Sequence, residues 1–191
     1  MKISIVSDTH GYFDAWDKLY REYLQASDLI LHAGDVLYYG PRNPIVAGYN
    51  PQKLAEALNQ CSVPVIVAQG NCDSEVDSMV LAMPVQSPYS YVVVNGMRIV
   101  VNHGHTFKDE EALFETAKHF KAHVIITGHT HIARLNKRDG IIHLNPGSPV
   151  RELSKREDGS ATLATLYNGK ITITDVASGE VIQEELITGG M

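Results

Sequence analysis

The sequence predicts an α/β protein in which two β-sheets, one rich in parallel and one in antiparallel pairs, pack face to face with helices outside. Three observations predict it. Short apolar, β-branched runs recur along the chain, at 3–6, 29–31, 65–67, 99–101 and 124–126. Helix-period segments alternate with the first three runs, which is the grammar of parallel βαβ units. From residue 89 onward that alternation gives way to hairpin signals.

Trp16, Leu19, Tyr20, Tyr23 and Leu24 follow i, i+3, i+4, i+7, i+8 spacing, so the pattern predicts an amphipathic helix over 14–25, with Asp14 placed to cap it. Asn50-Pro51 reads as a polar cap followed by proline in the first turn, opening a helix that buries Leu54, Ala55 and Leu58. A third helix is expected over 109–120, with Ala112, Leu113, Thr116, Ala117 and Phe120 on one face. Residues 89–94 and 97–101 flank Asn95-Gly96, a strong two-residue turn signal. Further hairpins are expected at Asp139-Gly140, Asn168-Gly169 and Ser178-Gly179. Residues 36–50 are the exception: punctuated by Gly and Pro, they predict a long loop.

The chain has 191 residues, 44% of them hydrophobic, enough for one substantial core, and a single domain over 1–191 is expected. A net charge of −6 with no Lys/Arg cluster argues against long DNA or RNA as substrate. Two cysteines make no disulfide framework, Met1-Lys2 leads directly into a strand, and no apolar run reaches membrane-spanning length. A cytoplasmic protein without membrane partners is the expectation.

The chemistry sits at the ends of the apolar runs. Asp8-Thr9-His10, Gly34-Asp35, Gly70-Asn71, Asn102-His103-Gly104-His105 and Gly128-His129-Thr130-His131 each follow one. Strand ends in an α/β sheet converge on one rim, where ligands bind. Alone, Asp-x-His is a turn, Asp35 a helix cap and Asn71 a turn residue; their shared placement after strands makes them one series. Alternation on an extended segment would point Asp8 and His10 the same way, and His129 and His131 likewise. Asp35 can bridge two cations, while Asn71 offers an amide oxygen and His103 an imidazole. Mixed N and O donors suit Mn, Fe, Zn or Co rather than Ca or Mg. Two such cations would activate a bridging hydroxide for in-line displacement at phosphorus. In the loop after Asp35, Tyr38, Tyr39, Arg42 and Asn43 are candidates to line a substrate pocket, Arg42 offering its fork to phosphate oxygens.

At these residues the chain resembles the calcineurin-like metallophosphoesterases. The motifs match in order over about residues 1–150. The short length, the 40–44 loop and the run Gly70-Asn71-Cys72-Asp73-Ser74-Glu75-Val76-Asp77 resemble the YfcE-type bacterial phosphodiesterases. The resemblance implies a four-layer αββα sandwich of two mixed sheets. It implies one metal on Asp8, His10, Asp35 and His131 and a second on Asp35, Asn71, His103 and His129, with manganese the usual activator (Zn, Fe, Co or Ni being alternatives). Many members read Gly-Asn-His where this chain has Gly-Asn-Cys72, and there the histidine protonates the leaving oxygen. Cys72, with a reference pKa near 8.5, is a less suitable acid, and adjacent cations would favour its thiolate. His105 is the candidate replacement as acid or phosphate ligand, and Asp73 is expected to hold the loop.

Two functions are therefore expected in order. The first is a two-metal phosphodiesterase acting on small phosphodiesters. The alternative is a metal-binding protein-interaction scaffold, as the retromer subunit of the superfamily is. A β-lactamase-type hydrolase would carry a His-x-His-x-Asp-His run, which is absent. A homo-oligomer, dimer or tetramer, would use the strands expected over 160–187.

Overall fold

A computed structural model describes residues 1–187; residues 188–191 of the expected single domain lie outside the described residues. The first half runs β1 (Lys2–Val6), α1 (Phe13–Leu19), β2 (Leu29–His32), α2 (Pro51–Asn59), β3 (Val65–Ala68), α3 (Asp77–Val80) and β4 (Val85–Gln86). Then follow β5 (Ser90–Val94), β6 (Met97–Val101), α4 (Glu110–His119), β7 (Val124–Ile126), β8 (Arg134–Arg138) and β9 (Ile141–Asn145). The chain closes with β10 (Thr162–Tyr167), β11 (Lys170–Asp175) and β12 (Val181–Leu186).

One sheet has the order β12-β11-β10-β1-β2-β3-β4 and the other β5-β6-β7-β9-β8. Both are mixed. In the first, β1, β2, β3 and β4 pair in parallel while β10, β11 and β12 extend it antiparallel. In the second, β6, β7 and β9 are parallel between antiparallel edges β5 and β8. The expected division into a parallel-rich and an antiparallel-rich sheet is corrected. Local turn signals reveal each hairpin but not the β6-α4-β7 crossover that places parallel pairs in the second sheet.

Period-two alternation in the strands builds three apolar interfaces between four layers. Ile3, Ile5, Leu29 and Leu31 meet Ile99, Val101, Val124, Ile126 and Leu144 between the sheets. Val6, Ile30 and Val67 face the other way, against Trp16, Leu19, Leu54 and Leu58 of the helices. Val100 and Ile125 turn outward to Leu113, Phe114 and Ala117 of α4. This αββα layering matches the architecture expected from the resemblance.

The helix expected over 14–25 is α1 followed by a wider π turn, Tyr20–Leu24. Its cap position is Tyr12 and Asp14 lies inside the first turn, so the Asp14 cap is corrected. Asn50 does cap α2, accepting from Lys53 N–H, and Asp109 caps α4, accepting from Ala112 N–H. The turns at Asn95-Gly96, Asp139-Gly140 and Asn168-Gly169 have both central residues at positive φ, the type I′ geometry that fits strand twist.

Two histidines are built into strands. His32 in β2 and His143 in β9 are buried, and burial holds both imidazoles down to about 4. The unfolded chain protonates these rings near pH 6.5, the folded one only near 4. Between those values the unfolded state binds more protons, so stability falls as pH drops. Each ring accounts for a loss of about 3 kcal/mol by pH 4. Urea unfolding measured from pH 7 to 4 will show this slope, and His143→Phe will remove about 3 kcal/mol of the loss. An unchanged slope in the variant contradicts the assignment.

Candidate metal centre

The expected ligands lie a few residues beyond β1, β2, β3, β6 and β7. At these ends the backbone leaves the extended region. Asp8, His10, Asp35, His129 and His131 have φ of 56°, 45°, 57°, 69° and 59°. A left-handed L-residue costs on the order of 1–2 kcal/mol, so five at one rim mark a site rather than a loop. The expectation that Asp8 and His10 share a direction through extended alternation is corrected, because left-handed turns aim them. His103 and His105 are likewise separated by a turn at Gly104 rather than lying on a strand.

Hydrogen bonds continue the sheet into the turns. Asp8 N–H donates to Gly34 O, His10 N–H to Asp35 O, and Gly11 N–H to Val36 O. His32, to which the sequence assigned nothing, locks these two loops. Its Nδ1 accepts from Gly34 N–H and its Nε2 lies 3.0 Å from Thr9 Oγ1, which donates to Val36 O. Asp73 holds a third loop in place, as expected. Its carboxylate accepts from Asp35 N–H (2.9 Å), Val36 N–H (2.7 Å) and Gly70 N–H (2.7 Å). Asn145 holds a fourth, donating to Gly128 O and Thr130 Oγ1, while Ser148 Oγ donates to Asp8 O. Close approach requires glycine at two points. A Cβ on Gly70 would lie 2.1 Å from Asp35 Oδ1, and one on Gly128 1.9 Å from Ser7 Oγ.

Three imidazoles share one arrangement. Nδ1 donates to a main-chain carbonyl: His10 to Tyr38 O, His103 to Ala33 O, and His131 to Leu153 O. A carbonyl only accepts, so Nδ1 carries a proton and Nε2 is the nitrogen left to take a second proton or a metal ion. The three Nε2 atoms point at the carboxylates of Asp8 and Asp35. His131 Nε2 lies 3.3 Å from Asp8 Oδ1, His103 Nε2 3.2 Å from Asp35 Oδ2, and His10 Nε2 3.6 Å from Asp35 Oδ2. His10 and His131 bring their Nε2 atoms within 3.1 Å of each other. His103 Nε2 is buried and makes no hydrogen bond among the described residues. Facing lone pairs beside buried carboxylates fit a cation. Asp8 with His10 and His131, and Asp8 with Asp35 and His103, form two such groups.

The charges are strongly coupled. Burial opposes the charged form of His103, but Asp35 and then Asp8 outweigh it and lift the ring to about 9. Asp35 is held well below the usual carboxylate range: burial pushes it up, and His103 more than compensates. Burial lowers His10. For the Cys72 thiol, burial and then the Asp35 carboxylate push it up to about 12. The protein thus drives this sulfur toward the neutral thiol, opposite to the effect of a bound cation.

The remaining predicted residues divide. His129 donates its backbone N–H to the Asp8 carboxylate, and its ring centre is 5.3 Å from that of His103. Asn71 is exposed on the same cavity, its Nδ2 3.3 Å from Cys72 Sγ. Cys72 Sγ reaches the His10–Asp35 group. His105 is exposed, with its ring 5.5 Å from His103 and 6.1 Å from His129. A cavity of about 600 Å³ opens over the cluster, with Arg42 and Asn43 in its wall. Tyr38 also lines it, whereas the Tyr39 ring packs edge-on against Tyr49 and lies outside that lining. Thr130 and Lys155 line the cavity too. Lys155 carried no sequence signal, because only the chain's return past His131, where Lys155 N–H donates to His131 O, brings it there.

The profile of the calcineurin-like phosphoesterase superfamily domain matches residues 1–168. Phosphodiesterase YfcE of Escherichia coli K12 is 39% identical over 151 residues, covering 78% of this chain and 79% of its own. The structure characterised as YfcE, a phosphoesterase from E. coli, superposes with a TM-score of 0.84 at 31% identity over 98% of this chain and 100% of that one. Vps29 of Entamoeba histolytica, in a zinc complex, shares the fold at a TM-score of 0.70 and 18% identity, covering 98% of this chain and 99% of its own.

Asp73→Ala strands three backbone donors that position Asp35 and Gly70. It will cost about 3 kcal/mol in urea unfolding and weaken Mn binding measured by calorimetry at least tenfold. Stability and affinity both at wild-type level would show that Asp73 does not hold the loops.

Proposed function

The chain belongs to the calcineurin-like phosphoesterase superfamily and is a metal-dependent phosphoesterase, and we propose that it hydrolyses small phosphodiesters with two divalent ions bound. The observation that carries this is the set of three carbonyl-fixed imidazoles whose Nε2 lone pairs meet two buried carboxylates beneath an open cavity. Asp8, His10, Asp35 and His131 would hold one ion, and Asp35, Asn71, His103 and His129 the other. Mn fits the mixed N and O donors. Cations there would supply an activated water and neutralise negative charge on the phosphoryl oxygens.

The chain's own residues do the rest. Arg42 and Lys155 line the cavity with positive charge that complements phosphate oxygens. Asn43, held by its bond to Tyr39 O, brings its amide to 3.5 Å from His10 Nε2, where it can orient a phosphate oxygen. His105, exposed beside His103 and His129, is placed to donate a proton to the leaving oxygen. Burial and then His103 lower its pKa, so the protonated, donating form of this ring is populated on the acid side of neutrality. The Cys72 thiol, pushed up to about 12, is a poor donor. One observation favours a scaffold as the second function: Cys72 occupies the position where many members of the family carry their acid.

With Mn added, the wild-type protein will hydrolyse bis(p-nitrophenyl) phosphate, and Asp35→Ala will lower kcat/KM by on the order of 10³-fold. Turnover that ignores either Mn or Asp35 would favour the scaffold. Cys72→His will raise turnover of diesters with poor leaving groups more than that of nitrophenyl esters; equal effects on both would count against a missing acid.

A further inference from the structure

A second cavity, of about 250 Å³, lies on the other side of the Gly128–Thr130 turn. His129 and Thr130 line both cavities, so this turn is a partition with one face in each. The second cavity sits on the outer face of the β5–β9 sheet. Thr127 follows β7, His143 lies in β9, and Phe107 and Leu113 come from the segment and helix that cover them. Ile132, 47% exposed, stands at its mouth.

Its chemistry differs from that of the metal cluster. Phe107, Leu113 and Ile132 give it an apolar wall. His143, only 7% exposed, is set into that wall. Its Nε2 is 2.9 Å from Thr127 Oγ1, whereas Nδ1 has no hydrogen-bond partner among the described residues. Such an unmade bond on a buried group costs on the order of 1–3 kcal/mol. Neighbouring Asn145 cannot meet a ligand, because its amide is used by Gly128 O, Thr130 Oγ1 and Gly147 N–H. Held down to about 4 by burial, the His143 ring is neutral near pH 7 and offers no charge to an anion. At the rim, Arg134 and Glu110 neutralise each other at 2.9 Å. Asp109, the third charged residue of the lining, caps α4 and adds no positive charge, so an uncharged, mainly apolar group is the matching occupant. A cavity of roughly 150 Å³ suffices for benzene, so this one takes a single substituted ring.

We propose that the two cavities receive the two arms of one diester: a single aromatic ring packed on Phe107, Leu113 and His143, and a larger polar arm beside Arg42 and Lys155, with phosphorus at the His129 partition. This rests on the phosphodiesterase function proposed above and narrows its substrate to an asymmetric diester with one ring-sized arm.

The test uses the full chain with ¹³C-labelled histidine. In the metal-free protein, p-nitrophenol will shift the His143 ring resonance, and inorganic phosphate will not. Ile132→Trp, which fills the mouth from the surface, will abolish that shift. In the Mn-loaded protein, Ile132→Trp and His143→Phe will each raise KM for bis(p-nitrophenyl) phosphate about tenfold, the change falling on KM rather than kcat. A His143 resonance indifferent to p-nitrophenol overturns the ring site. A shift with KM unchanged in both variants makes the cavity unconnected with the substrate and overturns the two-arm assignment. Absence of diester turnover by the wild type would instead sink the phosphodiesterase function, and the ring titration would still decide the cavity.

Discussion

Two buried carboxylates and three imidazole lone pairs are aimed at one small volume, and this convergence is the constraint on which the rest of the structure depends. Asp8 and Asp35 are 0% and 2% exposed. Buried charge is costly unless it is compensated. Three carbonyls fix the imidazoles so that their remaining nitrogens face inward. Without a cation the cluster compensates itself by favouring protons on its imidazoles, on His103 beside Asp35 above all and on His131 beside Asp8. The site is thus prepared for positive charge before any arrives, and cation binding stabilises the fold by mass action.

Preparation has an energetic cost. Five left-handed ligand residues amount to on the order of 5–10 kcal/mol of backbone strain, comparable to the net stability of a whole domain. Three apolar interfaces offset it. Both sheets contribute ligands to the same rim, β1, β2 and β3 from one and β6 and β7 from the other, so the contact between Ile3, Ile5 and Leu31 and Ile99, Val101 and Ile126 also sets the spacing of the cluster. Glycines 70 and 128 permit the last approach, and His32, Asp73 and Asn145 brace the turns.

The chain gathers Asp8, His10, Asp35, His103 and His131 into one cluster while placing Cys72 beside it. Burial and Asp35 hold that sulfur as a thiol. His105, exposed with its ring 5.5 Å from that of His103, is the proton donor proposed in its place.

Much of this was legible in the sequence because the relevant physics is local. β-branched runs make strands, Asn-Gly and Asp-Gly make type I′ turns, Asn50-Pro51 makes a helix cap, and hard ligands after strands share a rim. The sequence by itself determined the α/β class, the strand ends that carry the ligands, and Arg42 and Asn43 beside them. It misjudged what depends on dihedrals. Asp8 and His10 are aimed by left-handed turns rather than by alternation, and Tyr39 turns to Tyr49 while Tyr38 meets the cavity. It was silent where a residue acts through distant chain: His32 through Thr9 and Gly34, Lys155 past His131, and His143 behind the His129 partition. Only tertiary structure decided those, because period and propensity act over a few neighbours, whereas these positions follow from how two sheets and their crossovers bring remote segments to one rim.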